Sequence, residues 1–498
     1  MTPDQPFSIA VFLICGTLVW VLPFRYALVP LALSLSLYPS NLLLPPDNIG
    51  LTPQRVIGFL LLLRCLVTPA IRSKFKWNMA DSAAVFYFVM LTISQIVTQG
   101  PAKAINNRGG FFLSALVPFW CVRLLITDKE SFYALIRGWI YGAVPLALLG
   151  LYQFITGDNP FFNIMQYGVP KILAEKSQRI GIDTRLMFGE QHFRASAPFM
   201  QCIMFGWFFA LLVGLGTTLF WQKRKLFPWV IPWALLPVGI ITSIAGGPMM
   251  LTALSMAIIG LFPFRGLWKP ACWALLILMI VMGAVSNRNP LEILANAGFD
   301  PTSSWYRVGL QKYTLHEGGM AGHWIAGYGD IPGEYARFHD LCIHWIWLVV
   351  VHGLMGAVGF YGWMAACAWQ LWKAKEKCVG LEDEWLVWSL LAVWIASVMS
   401  MFVVSLFGEM YFIYHMFLGL MANAPIMVGG GVRHVGVMAE IDGEPVLLRY
   451  ALKQGQRLAI VRPGEAPVVT SAPTTAPTTT TTTTAKTTKT TTAATTTR

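Results

Sequence analysis

Residues 341–371 read LCIHWIWLVVVHGLMGAVGFYGWMAACAWQL, and this run decides the fold class. It contains no Asp, Glu, Lys or Arg, and about 20 apolar residues are enough to cross a bilayer as a helix. The same bias holds for the whole chain, because 56% of its 498 residues are hydrophobic and only 12% are charged. With a mean hydropathy of +0.58, the sequence predicts an all-α polytopic membrane protein.

Thirteen apolar segments of the chain are candidate spans, so we expect about 12–13 transmembrane helices. They lie near residues 7–23, 27–44, 52–70, 80–98, 110–126, 136–156, 199–220, 228–244, 248–263, 269–286, 341–371, 384–406 and 409–428. The first segment lacks the positive start and the small-residue cleavage site of a secretory signal, so we expect it to be a retained helix.

Basic residues cluster beside the apolar segments, and the formal net charge is +12. The clusters are Arg72, Lys74 and Lys76; Lys223, Arg224 and Lys225; and Lys373, Lys375 and Lys377. This pattern is typical of cytoplasmic loops rather than of a nucleic-acid surface. Alternating outward from these clusters places 99–109, 157–198 and 287–340 on the outer face and the C-terminus in the cytosol.

The predicted transmembrane domain covers residues 1–428, and the tail that follows changes character. Residues 429–465 form a short cytoplasmic segment, in which alternating residues over 435–462 favour a few strands. Residues 466–498 are rich in Thr and cannot bury a core, which predicts a disordered tail.

The eight cysteines show no CxxC or paired spacing, and seven of them lie in or beside apolar segments. The chain also lacks HExxH, DxD and a Cys/His quartet. We therefore expect no disulfide framework, no metal site and no cofactor.

The first large outer segment, residues 157–198, is basic although outer loops are normally poor in basic residues. It includes Arg185 and Arg194, and Arg194 stands at the membrane boundary, where a lipid phosphate would lie. One interpretation is a solvated loop. The other is a site for an anionic ligand, because the planar guanidinium group suits phosphate.

The second large outer segment combines acids with bases, among them Arg288, Arg307 and Arg337. Within it, SSWYRVGLQKY (303–313) predicts a short amphipathic helix that would hold Arg307 near headgroup depth. GYGD (327–330) predicts a tight turn at which the main chain can approach a ligand.

FHDLCIHW, residues 338–345, predicts the start of the next helix. His339 would then lie at a helix start on the outer face, where imidazole can act as a general base or have a purely structural role. Asp340 would orient that ring or cap the helix. His344 lies deeper and about 140° around the axis, so the two histidines do not share a face as metal ligands would. Glu409, at the outer start of the last span, is an intramembrane acid that a helix N-terminus also explains.

At these residues the chain resembles the O-antigen ligase and O-antigen polymerase superfamily of bacterial glycan-assembly membrane enzymes, over about residues 50–428. The matching stretches are RASAPFMQCIMFG (194–206), TSIAGGPMMLTAL (242–254), WYRVGLQKY (305–313) leading to GYGD (327–330), and HDLCIHWIWLVVVHGLMG (339–356). The chain departs from the family at Ile244, where Ser-Arg-Gly is usual, and at Asp340, where Asn is common.

The resemblance implies a GT-C-like membrane fold and a metal-independent, inverting transferase. Its donor would be a glycan on undecaprenyl diphosphate, taken at the periplasmic face of a bacterial inner membrane. Arg194 and Arg307 would hold the diphosphate and His339 would be the general base, so these three are the predicted catalytic residues. The predicted substrate-binding residues are Arg185, Arg288, Arg337, Asp340, His344 and Glu409.

Three functions stay open at this point. A ligase joins the finished glycan to lipid A core or to a protein hydroxyl, whereas a polymerase joins one lipid-linked repeat to another glycan. A transporter or flippase would move the lipid-linked sugar without cutting it, and it predicts internal repeats and broken helices. The sequence shows no two-fold self-similarity and concentrates its polar residues in outer loops, which favours chemistry at one face.

Overall fold

The computed structural model describes residues 4–39, 42–45, 51–161, 184–187, 190–221, 227–267, 277, 301–338 and 341–428, together with four strands of the tail. The chain divides into two compact units, Met1–Gly430 and Gly431–Arg498.

Helices build the described part of the first unit. Helices α1 to α8 are Asp4–Val21, Leu28–Leu37, Pro53–Val67, Pro69–Arg72, Met79–Gln99, Pro101–Phe111, Val117–Leu125 and Lys129–Thr156. Helices α9 to α15 are Cys202–Gly216, Phe227–Thr242, Gly246–Gly260, Pro301–Leu315, His344–Lys377, Leu381–Ser400 and Glu409–Met427. An antiparallel hairpin of β1 (Thr184–Met187) and β2 (Glu190–Phe193) precedes α9.

Seven helices within the described ranges are long and apolar enough to cross a membrane. The prediction of an all-α polytopic membrane protein is confirmed at that level. The outward face of α5 fits this environment, because Phe86, Val89, Ile93 and Val97 are exposed there. The predicted total of 12–13 spans stays a prediction, since the segment 269–286 lies almost entirely outside the described residues.

One predicted boundary is wrong and matters for the site. Residues 101–109 were expected in an outer segment, but they form most of α6, which continues through a π-helical turn at Phe112–Leu116 into α7. The combined helix, Pro101–Leu125, has 25 residues and is one of the seven candidate spans. Pro101 at its first turn explains the start, because proline there lacks only an N–H that the helix would not use.

Ion pairs join helix ends at the end of the bundle that carries Lys373, Lys375 and Lys377, which we name the basic end. Arg25 Nη2 lies 2.7 Å from Glu130 Oε2, and Lys129 pairs with Asp383. These contacts bring the start of α8 beside the starts of α2 and α14.

The opposite end of the bundle carries the long connecting segments, and we name it the loop end. Gln153 Oε1, near the end of α8, accepts hydrogen bonds from Ser196 N at 2.9 Å and Ala197 N at 3.1 Å. Gln99 Nε2, at the end of α5, donates to Gly329 O at 2.7 Å. Helices α5 and α8 therefore run in the same direction, from the basic end to the loop end.

A buried ion pair locks three helices together near the basic end. Arg123 on α7 donates from Nε to Asp81 Oδ1 at 3.0 Å and from Nη2 to Asp81 Oδ2 at 2.6 Å, and both side chains are fully buried. Arg123 Nη1 also bonds Asn423 Oδ1 on α15. Asp81 is at the same time part of a capping box with Asn78 at the start of α5.

Helix α13 begins at His344, with Ile343 as its N-cap, and residues 341–343 are not helical. The prediction that FHDLCIHW itself opens the helix is therefore wrong at its start. The amphipathic helix predicted over 303–313 is confirmed as part of α12.

Helix α13 is also interrupted at Gly353, whose φ of 64° and ψ of −164° are not helical. The segment 324–329 fills the interruption with four main-chain hydrogen bonds. They are Tyr328 N to Val350 O (2.8 Å), Gly329 N to Val351 O (2.8 Å), Leu354 N to Trp324 O (2.7 Å) and Met355 N to Ile325 O (3.2 Å). Polar groups that a helix break would leave bare in a membrane are thus satisfied by protein.

Most of GYGD (327–330) belongs to this docked segment, but the predicted tight turn is wrong in its position: the turn residues are 319–326, and 327–330 only bend at 329 and 330. Gly327 and Gly329 have φ of 74° and 78°, values that favour glycine. A Cβ at Gly327 would come within 2.6 Å of main-chain atoms of His352 and Gly353. Glycine is therefore required by both conformation and space.

In the second unit, β3 (Arg433–Ile441) pairs antiparallel with β4 (Glu444–Leu452), and β5 (Gln456–Ala459) with β6 (Val468–Ser471). Strand β6 falls within the segment 466–498 that was predicted as disordered. Residues 472–498, which contain the Thr-rich repeats, lie outside the described residues.

Candidate functional site

The nine predicted site residues fall into two groups. Arg288, His339 and Asp340 lie outside the described residues, as do the side chains of Arg185 in β1 and Arg337 in the 3-10 helix Gly333–Arg337. Their roles stay predictions. The structure places the side chains of Arg194, Arg307, His344 and Glu409, and all four lie at the loop end.

Residues 401–408, which we name the 401–408 connection, join α14 to α15 at the loop end. Arg307 on α12 donates from Nε to Val403 O at 2.8 Å. His344 on α13 accepts at Nδ1 from Leu406 N at 3.3 Å, and the same nitrogen lies 3.4 Å from Ser405 Oγ. Two predicted site residues from different helices therefore contact one short stretch of main chain.

Arg194 reaches the same neighbourhood from the first outer segment. Its Nε donates to Ser243 O at 3.2 Å, just before α11. Gly247, in the first turn of α11, packs so closely on Val404 that a Cβ there would clash with the Val404 side chain. The main-chain stretches that hold Arg194 and Arg307 are thus neighbours.

His344 is arranged as a hydrogen-bond donor rather than as a base. Its Nδ1 accepts the Leu406 amide, so in neutral imidazole the proton is assigned to Nε2. The side chain is fully buried, stacked on Trp347 at 5.8 Å and against Phe360 at 4.8 Å between ring centroids. Among the described residues Nε2 has no hydrogen-bond partner. The sequence alone could not assign this tautomer.

Glu409 follows the 401–408 connection directly and is the first residue of α15, with an exposed fraction of 1%. A carboxylate is favoured at a helix N-terminus by the helix dipole. Gly408, with φ of 55°, makes the sharp change of direction that precedes it. The position agrees with a structural role and also puts an acid close to the stretch that Arg307 and His344 contact.

Arg108 on α6 is a buried cation that the sequence analysis did not single out. Its side chain is 8% exposed, and its Nε donates to Gln95 Oε1 at 2.7 Å. No carboxylate in the described part of the chain forms an ion pair with it. An arginine inside a transmembrane helix is costly, up to about 3 kcal/mol at the helix centre on insertion scales. The signal in the sequence was an arginine inside PAKAINNRGG, which composition alone assigns to a loop.

Arg108 lines a cavity of about 210 Å³ in the helix bundle, which we name the Arg108 cavity. His352 and Tyr411 add polar groups to its wall, and Trp347 and Leu406 add apolar surface. This cavity adjoins the 401–408 connection, because Leu406 belongs to both. Trp347, also in its wall, stacks on His344, which accepts a hydrogen bond from the Leu406 amide.

The described residues contain no group of three His, Cys, Asp or Glu side chains that could hold a metal ion. Near the docked segment, burial raises the pKa of Tyr335 above its ordinary value. Its hydroxyl donates to Gly319 O at 3.2 Å, so it stays protonated and supports the loop.

Comparisons with protein-family models and with curated protein sequences found no match. The function therefore has to be argued from the site itself.

Proposed function

We propose that the chain is a membrane glycan transferase that takes its donor from an undecaprenyl-diphosphate carrier at the loop end. The observation that supports this most is that Arg307 and His344 both bond the main chain of the 401–408 connection, while Arg194 bonds Ser243 O on a neighbouring stretch. Two guanidinium groups at one end of an apolar bundle suit an anionic headgroup whose lipid tail stays in the bilayer.

The chemistry is a single displacement. The acceptor hydroxyl oxygen attacks the anomeric carbon of the donor, the bond between that carbon and the diphosphate oxygen breaks, and the hydroxyl proton passes to a base. Arg194 and Arg307 would stabilise the charge that grows on the departing diphosphate. His344 is fully buried and its Nδ1 accepts the Leu406 amide, so it would position the 401–408 connection rather than deprotonate the acceptor, which leaves the predicted base role with His339.

Arg307→Ala is expected to lower the rate of donor consumption about 100-fold, the loss typical of removing one group that stabilises developing charge. The measurement is turnover of lipid-linked donor by purified protein in detergent. Lys312→Ala, an exposed lysine on the same helix, is the matched control and is expected to keep normal turnover. Normal turnover in properly inserted Arg307→Ala and His339→Ala proteins would reject the assignment.

The proposal covers both a ligase and a polymerase, which share the donor site and differ in the acceptor. Deleting the gene and following the glycan separates them. A single-repeat product indicates a polymerase, whereas full-length polymer left on its lipid carrier indicates a ligase.

A transporter of lipid-linked sugar is the second candidate, and the interruption of α13 at Gly353 is the observation that favours it. Broken helices beside buried charges are typical of transporter sites. The break is, however, closed by main-chain hydrogen bonds from 324–329. Protein in vesicles that moves the lipid-linked sugar without cleaving it would favour this candidate over the transferase.

A further inference from the structure

We propose that the Arg108 cavity is a second binding site, which takes the phosphate group of an amphiphile inside the helix bundle. This second site goes beyond the proposed transfer reaction, because the two arginines that carry that reaction, Arg194 and Arg307, do not line the Arg108 cavity.

The charge balance of Arg108 carries the first step. Gln95 Oε1 accepts from Arg108 Nε, and Arg108 is more than nine-tenths buried. None of the ion pairs among the described residues includes Arg108. An uncompensated guanidinium in an apolar bundle favours an anionic partner. With Nε occupied, the Nη1 and Nη2 edge remains for a bidentate contact with two oxygens of one anion.

The other polar groups of the cavity select phosphate over carboxylate. His352, with an exposed fraction of 3%, bonds Ser94 Oγ at 3.4 Å through Nδ1, and the Tyr411 hydroxyl lies 3.3 Å from the Tyr87 hydroxyl. Both line the cavity with Arg108. Ser94 Oγ donates to Ala326 O at 2.9 Å, so His352 Nδ1 donates to Ser94 and Nε2 of the neutral ring is an acceptor. Arg108 and Tyr411 then offer donors and His352 an acceptor, a set that a phosphate with one P–OH group can satisfy and an ionised carboxylate, which only accepts, cannot.

The remaining wall and the volume indicate an amphiphile. Leu91, Phe111, Trp347 and Phe407 are apolar, so free phosphate would leave most of the surface without a partner. The volume of about 210 Å³ is smaller than the roughly 300–1,000 Å³ of sites for drug-sized ligands. The site therefore suits a phosphate headgroup and the first carbons of its chain.

The test is binding of dihexanoyl phosphatidic acid to the full-length protein in maltoside micelles, measured as the rise in Tm with ligand concentration. Dihexanoyl phosphatidylcholine and inorganic phosphate are the comparison probes. Phosphatidic acid is expected to raise the Tm of the natural protein. Arg108→Gln is expected to weaken its apparent Kd roughly tenfold or more, and Arg108→Lys less, because lysine keeps the charge and loses the fork.

Arg55→Gln is the matched control, since Arg55 on α3 lies beside Gly110 of α6 and does not line the cavity. It is expected to bind as the natural protein does. Leu91→Phe, which fills the cavity and keeps Arg108, is expected to weaken binding if Arg108→Gln does not fold.

An equal response to inorganic phosphate, lost in Arg108→Gln, would overturn the amphiphile in favour of free phosphate. No rise in Tm with any probe, or equal rises in Arg108→Gln and Arg55→Gln, would overturn the site itself. Because the readout is binding, the proposed transfer reaction can fail without affecting this result.

Discussion

Replacing Arg123 by methionine is expected to lower the free energy of unfolding by about 3–5 kcal/mol, the loss seen when one partner of a buried ion pair is removed. Asp81 would remain fully buried without its bidentate partner. The carbonyl oxygen of Lys76, which accepts from Arg123 Nη2 at 2.7 Å, would lose its donor as well. The measurement is denaturation of the purified protein by SDS in mixed micelles.

Arg265→Met is the matched control for this prediction. Its pair with Glu384 has a separation of 2.7 Å, close to the 2.6 Å of the Arg123–Asp81 pair, but the side chains are 34% and 38% exposed. Solvent then screens the charges, and the expected loss is below about 1 kcal/mol. Equal losses in Arg123→Met and Arg265→Met would show that burial does not make the Asp81 pair important.

The double variant Asp81→Asn with Arg123→Met separates the charge from the packing. It removes both charges, so most of the loss of Arg123→Met is expected to be recovered. The introduced asparagine side chain would still accept the Asn78 amide, which Asp81 Oδ2 accepts at 2.8 Å in the natural protein. A double variant as unstable as Arg123→Met would indicate that Asn423 and Lys76, rather than the unpaired carboxylate, account for the loss.

Long apolar runs made the helical membrane fold predictable. In α9 uninterrupted apolar sequence is sufficient, because a bilayer leaves few alternatives to a helix. In α13 it predicts the span but not the break at Gly353. The Asp81–Arg123 pair was not predictable in this way, since the partners are 42 positions apart and no local pattern connects them. The sequence predicts on which helix a charged residue lies, but it does not predict which residue forms the ion pair with it.

The candidate site was predictable in part. The basic composition of 157–198 indicated Arg194 because it opposed the topological bias, and the amphipathic pattern of 303–313 indicated Arg307. The 401–408 connection was missed, because its contribution is main-chain oxygens and amides that no residue type reveals. Arg108 was missed because Pro, Asn and Gly in PAKAINNRGG favour a loop, whereas the packing of α6 against α5 makes it a helix.

Gly353→Ala is expected to release the segment 324–329 from α13. The conformation at Gly353 is one that essentially only glycine adopts, at a cost of about 1–3 kcal/mol for other residues. An added Cβ would also clash with the main chain of Ile325. Alanine favours a continuous helix, in which Val350 O and Val351 O would accept from α13 itself and no longer from Tyr328 and Gly329. The measurement is hydrogen exchange at the amides of Tyr328 and Gly329.

Gly362→Ala on the same helix is the control for the conformational effect. Nothing lies within 4 Å of a Cβ there, so alanine is expected to leave exchange at Tyr328 and Gly329 unchanged and to be neutral or slightly stabilising. Equal exchange in the two variants would contradict a fixed break at Gly353.

Hydrogen exchange in the natural protein also discriminates between the two candidate functions. A transferase in which the segment 324–329 stays bound to α13 predicts slow exchange at the amides of Tyr328 and Gly329. A transporter that opens at the break predicts fast exchange there, since each opening would expose the Tyr328 and Gly329 N–H groups to solvent.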